Sequence, residues 1–449
     1  MPRNITKLQD IVDWRMCVGC GACAYICPEQ KVRLADFVNE GIRPVGPEAS
    51  CGGCVQCLQV CPALESDFRP SDPAIPVDGF WRQWGTVLEI WEGHATDPEI
   101  RFQGSSGGAL SAIAAYCIEK RGMHGVLHIG QDPTDPLRNT TRLSRTREEI
   151  VSASGSRYSP ASVCNGLSLV ESAPAPCVVI GKPSEASAVR NAGRMRETLR
   201  NKVGVLLSFF CAETPATAGP IALLRKHGAD PSQVAELRYR GRGWPGNFKA
   251  TGPGGAPNLA ETTYRESWGF MQAFRPWSVQ FWPDGTGELA DITCGDPWYE
   301  KPDGRNPGFS IIVVRTPRGR EILAGAIREG YLTLTPAERW KLEKSQAGLI
   351  KKKGAVWGRQ LVAKLLGLPV ARYLGLDLFF CWRKLPPVDK VKSTIGTFRR
   401  IFSRRIYRPL RLNLAKEGKL QDPIRASDGA EPSAPAPDAA RRDAYLPVP

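Results

Sequence analysis

The chain has 449 residues, 42% of them apolar and 23% charged, which is the composition of a folded protein long enough for about three domains. Its net charge of +15 is concentrated at one end: residues 341–449 hold 23 Lys and Arg against 9 Asp and Glu, whereas residues 1–340 hold 37 against 36. A nearly neutral body excludes specific nucleic-acid binding as the main task.

The chain opens on MPRNITKLQDIVDWRM, which has no apolar core and no small-residue cleavage site. A later apolar stretch, residues 361–382, is interrupted by Lys364, Pro369, Arg372 and Asp377 and is a poor bilayer span. The expectation is a cytoplasmic protein, and that compartment keeps thiols reduced. Of its fourteen cysteines six are scattered, and the eight that cluster point to metal rather than to disulfides.

Eight of these cysteines form two copies of C-x-x-C-x-x-C-x-x-x-C-P, CVGCGACAYICP from residue 17 and CGGCVQCLQVCP from residue 51. Zinc ribbons use separated C-x-x-C pairs, whereas three close cysteines and a remote fourth suit a [4Fe–4S] cubane. In two-cluster ferredoxins the fourth cysteine of one run ligates the other cluster. On that pattern Cys17, Cys20, Cys23 and Cys61 hold one centre, and Cys51, Cys54, Cys57 and Cys27 the second. Residues 1–68 thus read as a small α+β ferredoxin-like domain. Such clusters carry single electrons, so two-electron reduction of an organic molecule needs a converter, for which flavin is the common choice.

A Pro- and Asp-rich linker follows at 69–78. From residue 79 the texture is α/β, and the runs HGVLHIG (124–130), PCVVIG (176–181), VGVLLSFF (203–210) and SIIVVRT (310–316) suit buried strands. A loop and a helical stretch lie between the second and third runs, giving a βαβ unit and hence a partly parallel sheet. Two α/β parts are expected, 79–170 and 171–340. The GRGWPG of residues 241–246 matches G-x-G-x-x-G, but it contains Pro245 and follows polar LRYR, so a fixed loop bearing Arg240, Arg242 and Trp244 is the better reading. QGSSGG, from residue 103, precedes a helical stretch at 109–120 and forms a better phosphate cradle, with an ordinary capped helix as its alternative. GKPSEA (181–186) offers a second loop–helix junction, at Lys182. His94, His124, His128 and His227 show no ligand spacing, and His124 and His128 read as structural.

The end of the chain divides into a basic helical extension, 341–425, and a segment of disordered composition, 426–449. Within the former, VKSTIGTFRRIFSRRIYRPLR (391–411) reads as one basic amphipathic helix, facing solvent or a partner protein, with attachment to an anionic membrane surface as the alternative.

Taken in order, the ferredoxin repeats, GSSGGALSAI, SGSRYSPAS, VVIGKPSEASAVRNA, LLSFFCAETPA, LRYRGRGWPG and ADITCGDPW resemble the beta-subunit family of coenzyme F420 hydrogenases and dehydrogenases, over roughly residues 15–335. The resemblance implies a flavin- and iron–sulfur-containing reductase, with FAD near Ser105, Ser106, Gly107 and Gly108 and near Ser156, Arg157 and Tyr158. Lys182, Arg240, Arg242 and Trp244 would face the same cleft. Lys182, Cys211 and Asp296 are the implied catalytic candidates, although Cys211 also reads as a core cysteine and Asp296 as a turn cap. Many relatives have a cysteine after the Gly-x-Pro of the GKPSEA region; here Ser184 stands there, which removes any thiol role at that point. The expected function is electron transfer from a ferredoxin-like donor through two [4Fe–4S] clusters to FAD and on to a small organic acceptor. The alternative is a relay subunit serving a partner enzyme.

Overall fold

A computed structural model describes residues 4–46, 51–70, 74–255, 257–302, 306–422 and 424; the segment expected to be disordered, 426–449, lies outside them. The body is built on an eight-stranded mixed sheet. Its strands in chain order are β1 Glu89–Ala95, β2 Val126–Gln131, β3 Asn139–Ser144, β4 Cys177–Gly181, β5 Val203–Phe209, β6 Ile292–Gly295, β7 Ser310–Val314 and β8 Leu332–Pro336. In space they run β8-β1-β7-β6-β5-β4-β2-β3. The four central strands, β6, β5, β4 and β2, are mutually parallel, and antiparallel strands flank them on both sides.

The central strands are continuous apolar runs because both faces are covered. Side chains alternate across the pleat. Val126, Val178, Val205 and Leu207 face one side and pack with Ile113 and Tyr116 of helix α1 (Ala109–Lys120). Leu127, Val179 and Leu206 face the other, with Ala186 and Val189 of α2 (Pro183–Met195). Helix α3 (Pro317–Arg328) joins α1 on the first face through Ile322 and Leu323. The expected βαβ unit is β4-α2-β5.

The cysteine module sits on the second face. Cys20, Ala22, Ile26 and Val60 belong to the same apolar cluster as Leu127 and Val179. Gly21, at φ +87°, has no room for a side chain, since a Cβ would lie 2.8 Å from Asn165 N.

The basic extension is folded against the body. Its long helix α4 (Ala347–Leu365) packs on short helices α5 (Leu378–Arg383) and α6 (Pro387–Ser393), and Gly354 and Gly358 on one side of α4 permit the close approach: a Cβ on Gly358 would lie 2.4 Å from Ser393 Oγ. One buried ion pair, Lys353–Glu288 at 2.7 Å, ties α4 to the body. Two short strands then return to the cysteine module: residues 372–374 pair with 65–67, and residues 418–420 pair with 35–37.

The segment 391–411 is not one helix. The backbone breaks at Thr394 (φ −101°, ψ −80°) between α6 and α7 (Ile395–Ser403), and it leaves helical geometry at Arg405, which has φ +52°. Pro409 cannot donate to a helical ladder, so the 3.6-residue pattern outruns the helix it suggests.

Candidate functional site

A cavity of about 330 Å³ opens at the carboxyl ends of the four parallel strands, lined by His128 and Ile129 of β2, Ile180 and Gly181 ending β4, Phe209 to Cys211 at and just past the end of β5, and Cys294 to Asp296 at and just past the end of β6. Ligands bind at this end of open α/β sheets, and the volume falls in the range of small-molecule sites, about 300–1,000 Å³.

The QGSSGG loop forms one wall. Gly107 N–H donates to Ser310 Oγ at 3.1 Å, and Ser105 Oγ accepts from Ser156 N–H at 2.5 Å. Gly108 caps α1 at φ +70°, where a Cβ would meet Ile100 O at 2.5 Å; a Cβ on Gly107 would meet Phe309 Cα at 2.6 Å. These glycines let the loop turn tightly into the start of a twelve-residue helix whose first residues line the cavity, and a helix start is the kind of place that favours a phosphate.

The opposite wall carries a buried ion pair. Lys182 Nζ lies 2.6 Å from Glu185 Oε1 and donates to Ala161 O at 3.1 Å, with both side chains almost wholly buried. Burial disfavours the ammonium, but Glu185 and Glu213 outweigh it and hold the Lys182 pKa above its ordinary value. Glu213, just after β5, has left-handed φ (+70°) and is 1% exposed, and its Oε1 has no hydrogen-bond partner. Burial raises its carboxyl pKa, against the pull of Lys352 and Lys182. Glu213 N–H donates to Cys211 Sγ at 3.2 Å, and burial pushes that thiol up to about 12, so Cys211 is held as a neutral thiol.

A rigid aromatic and ionic wall closes the third side. Arg240 makes a two-pronged pair with Asp296, at 2.9 and 2.5 Å, and also donates to Ser105 O. Its guanidinium lies 4.5 Å from the Tyr264 ring centroid, and Tyr264 stacks on Trp298 at 5.4 Å. Asp296 is thus the partner of Arg240 rather than a turn cap.

Of the residues expected around the cleft, Ser105, Ser106, Gly108, Ser156, Arg157, Tyr158, Lys182, Cys211, Arg240 and Asp296 line this cavity. Gly107 stands behind it on Ser310. The Arg157 guanidinium is bound to the carbonyls of Leu237 and Pro136 and acts as a strut. Arg242 and Trp244 line a separate groove instead: Arg242 is exposed, 3.4 Å from Glu236, and Trp244 Nε1–H donates to Asp296 Oδ1 from behind. His128 lines the cavity, bonded to Ser144 Oγ at 2.7 Å, and burial pushes it down to about 3, so it stays neutral. Glu185, Glu213, Tyr264 and Trp298 were not singled out from sequence. Glu185 had a signal, a carboxylate three residues after Lys182 at a helix start; Glu213 had none.

The eight clustered thiols fall into two neighbourhoods. Burial, then Cys20, Cys17, Cys61 and, last, Cys57 of the other group, push Cys23 up, and Cys61 is raised by burial with Cys20 and Cys17; Cys57 responds to burial, Cys54, Cys51 and Cys27. Near the first group, Gly19 at φ +75° brings its N–H to 3.4 Å from Cys17 Sγ. The Arg43 guanidinium acts electrostatically on Cys17, and its buried Nε has no partner, as suits an anionic cluster with sulfur acceptors. Among the described residues no three His, Cys, Asp or Glu side chains converge to seat a single metal ion; a cubane spreads its ligands over four iron corners.

The first group lies against the cavity wall. Cys164 N–H donates to Cys20 O at 3.0 Å, and the Cys164 thiol holds Cys20 below the ordinary thiol range. Cys20 also senses Glu185 and Lys182, both of which line the cavity. The second group is the outer one, with Cys54 exposed and Cys51 and Cys57 half-buried.

No helix among the described residues is long and apolar enough to cross a membrane. The chain matches family models of the coenzyme F420 hydrogenase/dehydrogenase beta subunit, N-terminal part over residues 90–168 and C-terminal part over 176–339, and of a 4Fe–4S dicluster domain over 16–64. It is 24% identical to the coenzyme F420 hydrogenase subunit beta of Methanococcus voltae, over 64% of this chain and 99% of that one. It is 22% identical to the coenzyme F420-dependent sulfite reductase of Methanocaldococcus jannaschii, over 72% and 48%. A chain of the F420-reducing [NiFe] hydrogenase complex from Methanosarcina barkeri superposes with a TM-score of 0.49 at 21% identity, over 68% of this chain and 99% of that one. With its dicluster repeats at the front and both halves of the beta-subunit pattern behind, the chain belongs to the coenzyme F420 hydrogenase/dehydrogenase beta-subunit family of oxidoreductases.

Proposed function

We propose that this chain passes single electrons from a ferredoxin-like donor through two [4Fe–4S] clusters to FAD, and from there to a small organic acceptor. Cys17, Cys20, Cys23 and Cys61 would hold the inner cluster, and Cys51, Cys54, Cys57 and Cys27 the outer one. The observation that carries the reading is the link from Cys20 through Cys164 to the cavity wall, Cys164 N–H donating to Cys20 O at 3.0 Å and Cys164 Sγ–H to Glu185 O at 3.6 Å: a converter seated there would lie beside the inner cluster, and the exposed outer group would meet the donor.

The Ser105–Gly108 loop and the start of α1 would hold the diphosphate of FAD, with Ser156 and Tyr158 beside it. When bound, the flavin supplies the exchange between one-electron and two-electron chemistry. The protein's own part is positional and acid–base. The Arg240–Asp296–Trp298 wall fixes one side of the cavity, and the Lys182–Glu185 pair fixes the other while leaving no free base. Glu213, with its raised pKa and unpartnered Oε1, holds a proton at the cavity edge. Cys211, kept neutral, is a poor nucleophile.

The extension carries a second feature. Ile395, Phe398 and Phe402 are 46–59% exposed and recur at helical spacing on α7, with exposed Val391 on α6 before the break and exposed Arg399 and Arg405 beside them. This stripe suits attachment to an anionic bilayer surface.

Protein purified without oxygen should retain flavin absorption after desalting and carry about eight irons. Cys20→Ser should lose about half the iron and all ferredoxin-driven reduction while keeping the flavin. Absence of flavin bands would reduce the chain to a conduit, and unchanged iron in Cys20→Ser would overturn the ligand sets. Turnover of an acceptor by the isolated chain separates the enzyme from a relay subunit.

A further inference from the structure

A second hollow, about 650 Å³, adjoins the first, and Ala212, Trp268, Trp298, Gln346 and Leu349 line both. Its walls are strongly cationic. The lone acidic side chain lining it among the described residues, Asp389, stands 4.0 Å from Lys351. Arg275, Lys352, Arg359, Lys392, Arg400 and Arg404 also line it, and no carboxylate stands within ion-pairing distance of any of the six among the described residues.

These cations are aimed rather than scattered. Arg275 and Lys352 both donate to Ala212 O at 3.3 Å, on the partition between the two hollows. Arg359, seven residues after Lys352 and so on the same face of α4, donates from Nη1 to Gln280 O, and its buried Nε has no partner. Arg400 is fixed by Thr397 Oγ1 at 2.9 Å and Lys392 O at 3.2 Å. Burial and the nearby Arg275 and Arg359 push Lys352 down to about 8, against the pull of Glu213 and Cys211, and burial with Arg400 and Arg275 pushes Arg359 down to about 10. Like charges gathered in a partly dry hollow destabilise one another, and an anion seated among them relieves that cost. Planar guanidinium groups on several elements match the oxygens of phosphate.

We propose that this hollow binds the phosphate or diphosphate group of the organic acceptor, so that the acceptor's reducible end reaches past Ala212 into the first cavity. This rests on the reading of the first cavity as the redox site. Five of the six cations come from residues beyond 339, outside the segment matched by the beta-subunit models. The extension is therefore what selects a phosphorylated acceptor in this chain.

The test needs no knowledge of the acceptor. Holoprotein is titrated with inorganic pyrophosphate at low salt, by calorimetry and by the fluorescence of the tryptophans lining the hollow, Trp268, Trp277 and Trp298. Saturable binding is expected, weakened about tenfold or more in Arg359→Gln with Arg400→Gln, with bound iron and flavin unchanged. Lys392→Glu with Arg404→Glu alters only exposed side chains, so its fold is safe, and it should weaken binding in the same sense. Equal affinity in wild type and both variants, or no binding by wild type, overturns the proposal. So does citrate binding more tightly than pyrophosphate, which would make the site one for carboxylates. Pyrophosphate binding in a protein that holds no flavin would sink the redox reading of the first cavity and leave the anion site standing; flavin without pyrophosphate binding would do the reverse.

Discussion

Replacing Lys353 with Met tests how the extension is held to the body. Lys353 Nζ lies 2.7 Å from Glu288 Oε1 and 3.0 Å from Gln83 O, and both charged side chains are almost wholly buried. Removing the ammonium strands the carboxylate, a change that costs about 3–5 kcal/mol at buried pairs. The stranded group escapes by taking a proton. From the ordinary value of 4.5, protonation at pH 8 costs about 1.4 kcal/mol per pH unit, or roughly 4–5 kcal/mol. Burial already raises the Glu288 pKa, with Asp284 adding to burial and Lys353 and Arg315 opposing it. A carboxyl raised in the folded state loses stability as pH rises through its folded pKa and regains it below its unfolded one. The deficit of the variant should therefore shrink to about 1 kcal/mol at pH 5. Urea titrations of wild type and variant at both pH values read this directly. Adding Glu288→Leu to Lys353→Met should recover most of the loss, since an apolar pair of similar volume is tolerated. A deficit equal at both pH values, or below about 1 kcal/mol at pH 8, refutes the reasoning.

Three more outcomes follow from the site. Gly108→Ala forces a Cβ to within 2.5 Å of Ile100 O at φ +70°, and it should cost about 1–3 kcal/mol locally and release flavin while iron stays; retained flavin would remove the cradle from that loop. Acceptor reduction should fall as pH rises through the raised Glu213 carboxyl pKa, and Glu213→Gln should abolish that fall, because the amide has no proton to lose; an unchanged pH–rate profile assigns the proton elsewhere. Vesicles rich in anionic lipid should sediment the full chain, and Phe398→Asp with Phe402→Asp should prevent it; sedimentation unaffected by that change would clear the stripe of any lipid role.

The parts legible in the sequence are those whose signal is local. Cysteine spacing, apolar strand runs and glycine-serine turns each report on a window of a few residues, and they led to the module, to three of the four central strands with β7 beside them, and to part of the cavity lining; β6, four residues long, gave no such run. What escaped depends on distant residues meeting. Arg240 and Asp296 pair only because the loop after strand 236–238, part of a separate three-stranded sheet, meets the loop after β6, and Glu213 matters only because Lys182 and Lys352 act on it. The extension could be read as basic and helical, but the break at Thr394 and the second hollow depend on how its helices pack. Arg242 and Trp244 show the converse error: sharing a turn with Arg240 did not mean sharing its direction.

The pairing of residues 418–420 with 35–37 joins opposite ends of the chain. At about 5–20 residues per second, a ribosome needs roughly 20–80 s to make the intervening stretch. Throughout that interval the nascent iron-binding lobe lacks its last strand. Cluster insertion during synthesis would act on an unfinished lobe, and a release of the chain before residue 418 would leave the metal centres without their final clasp.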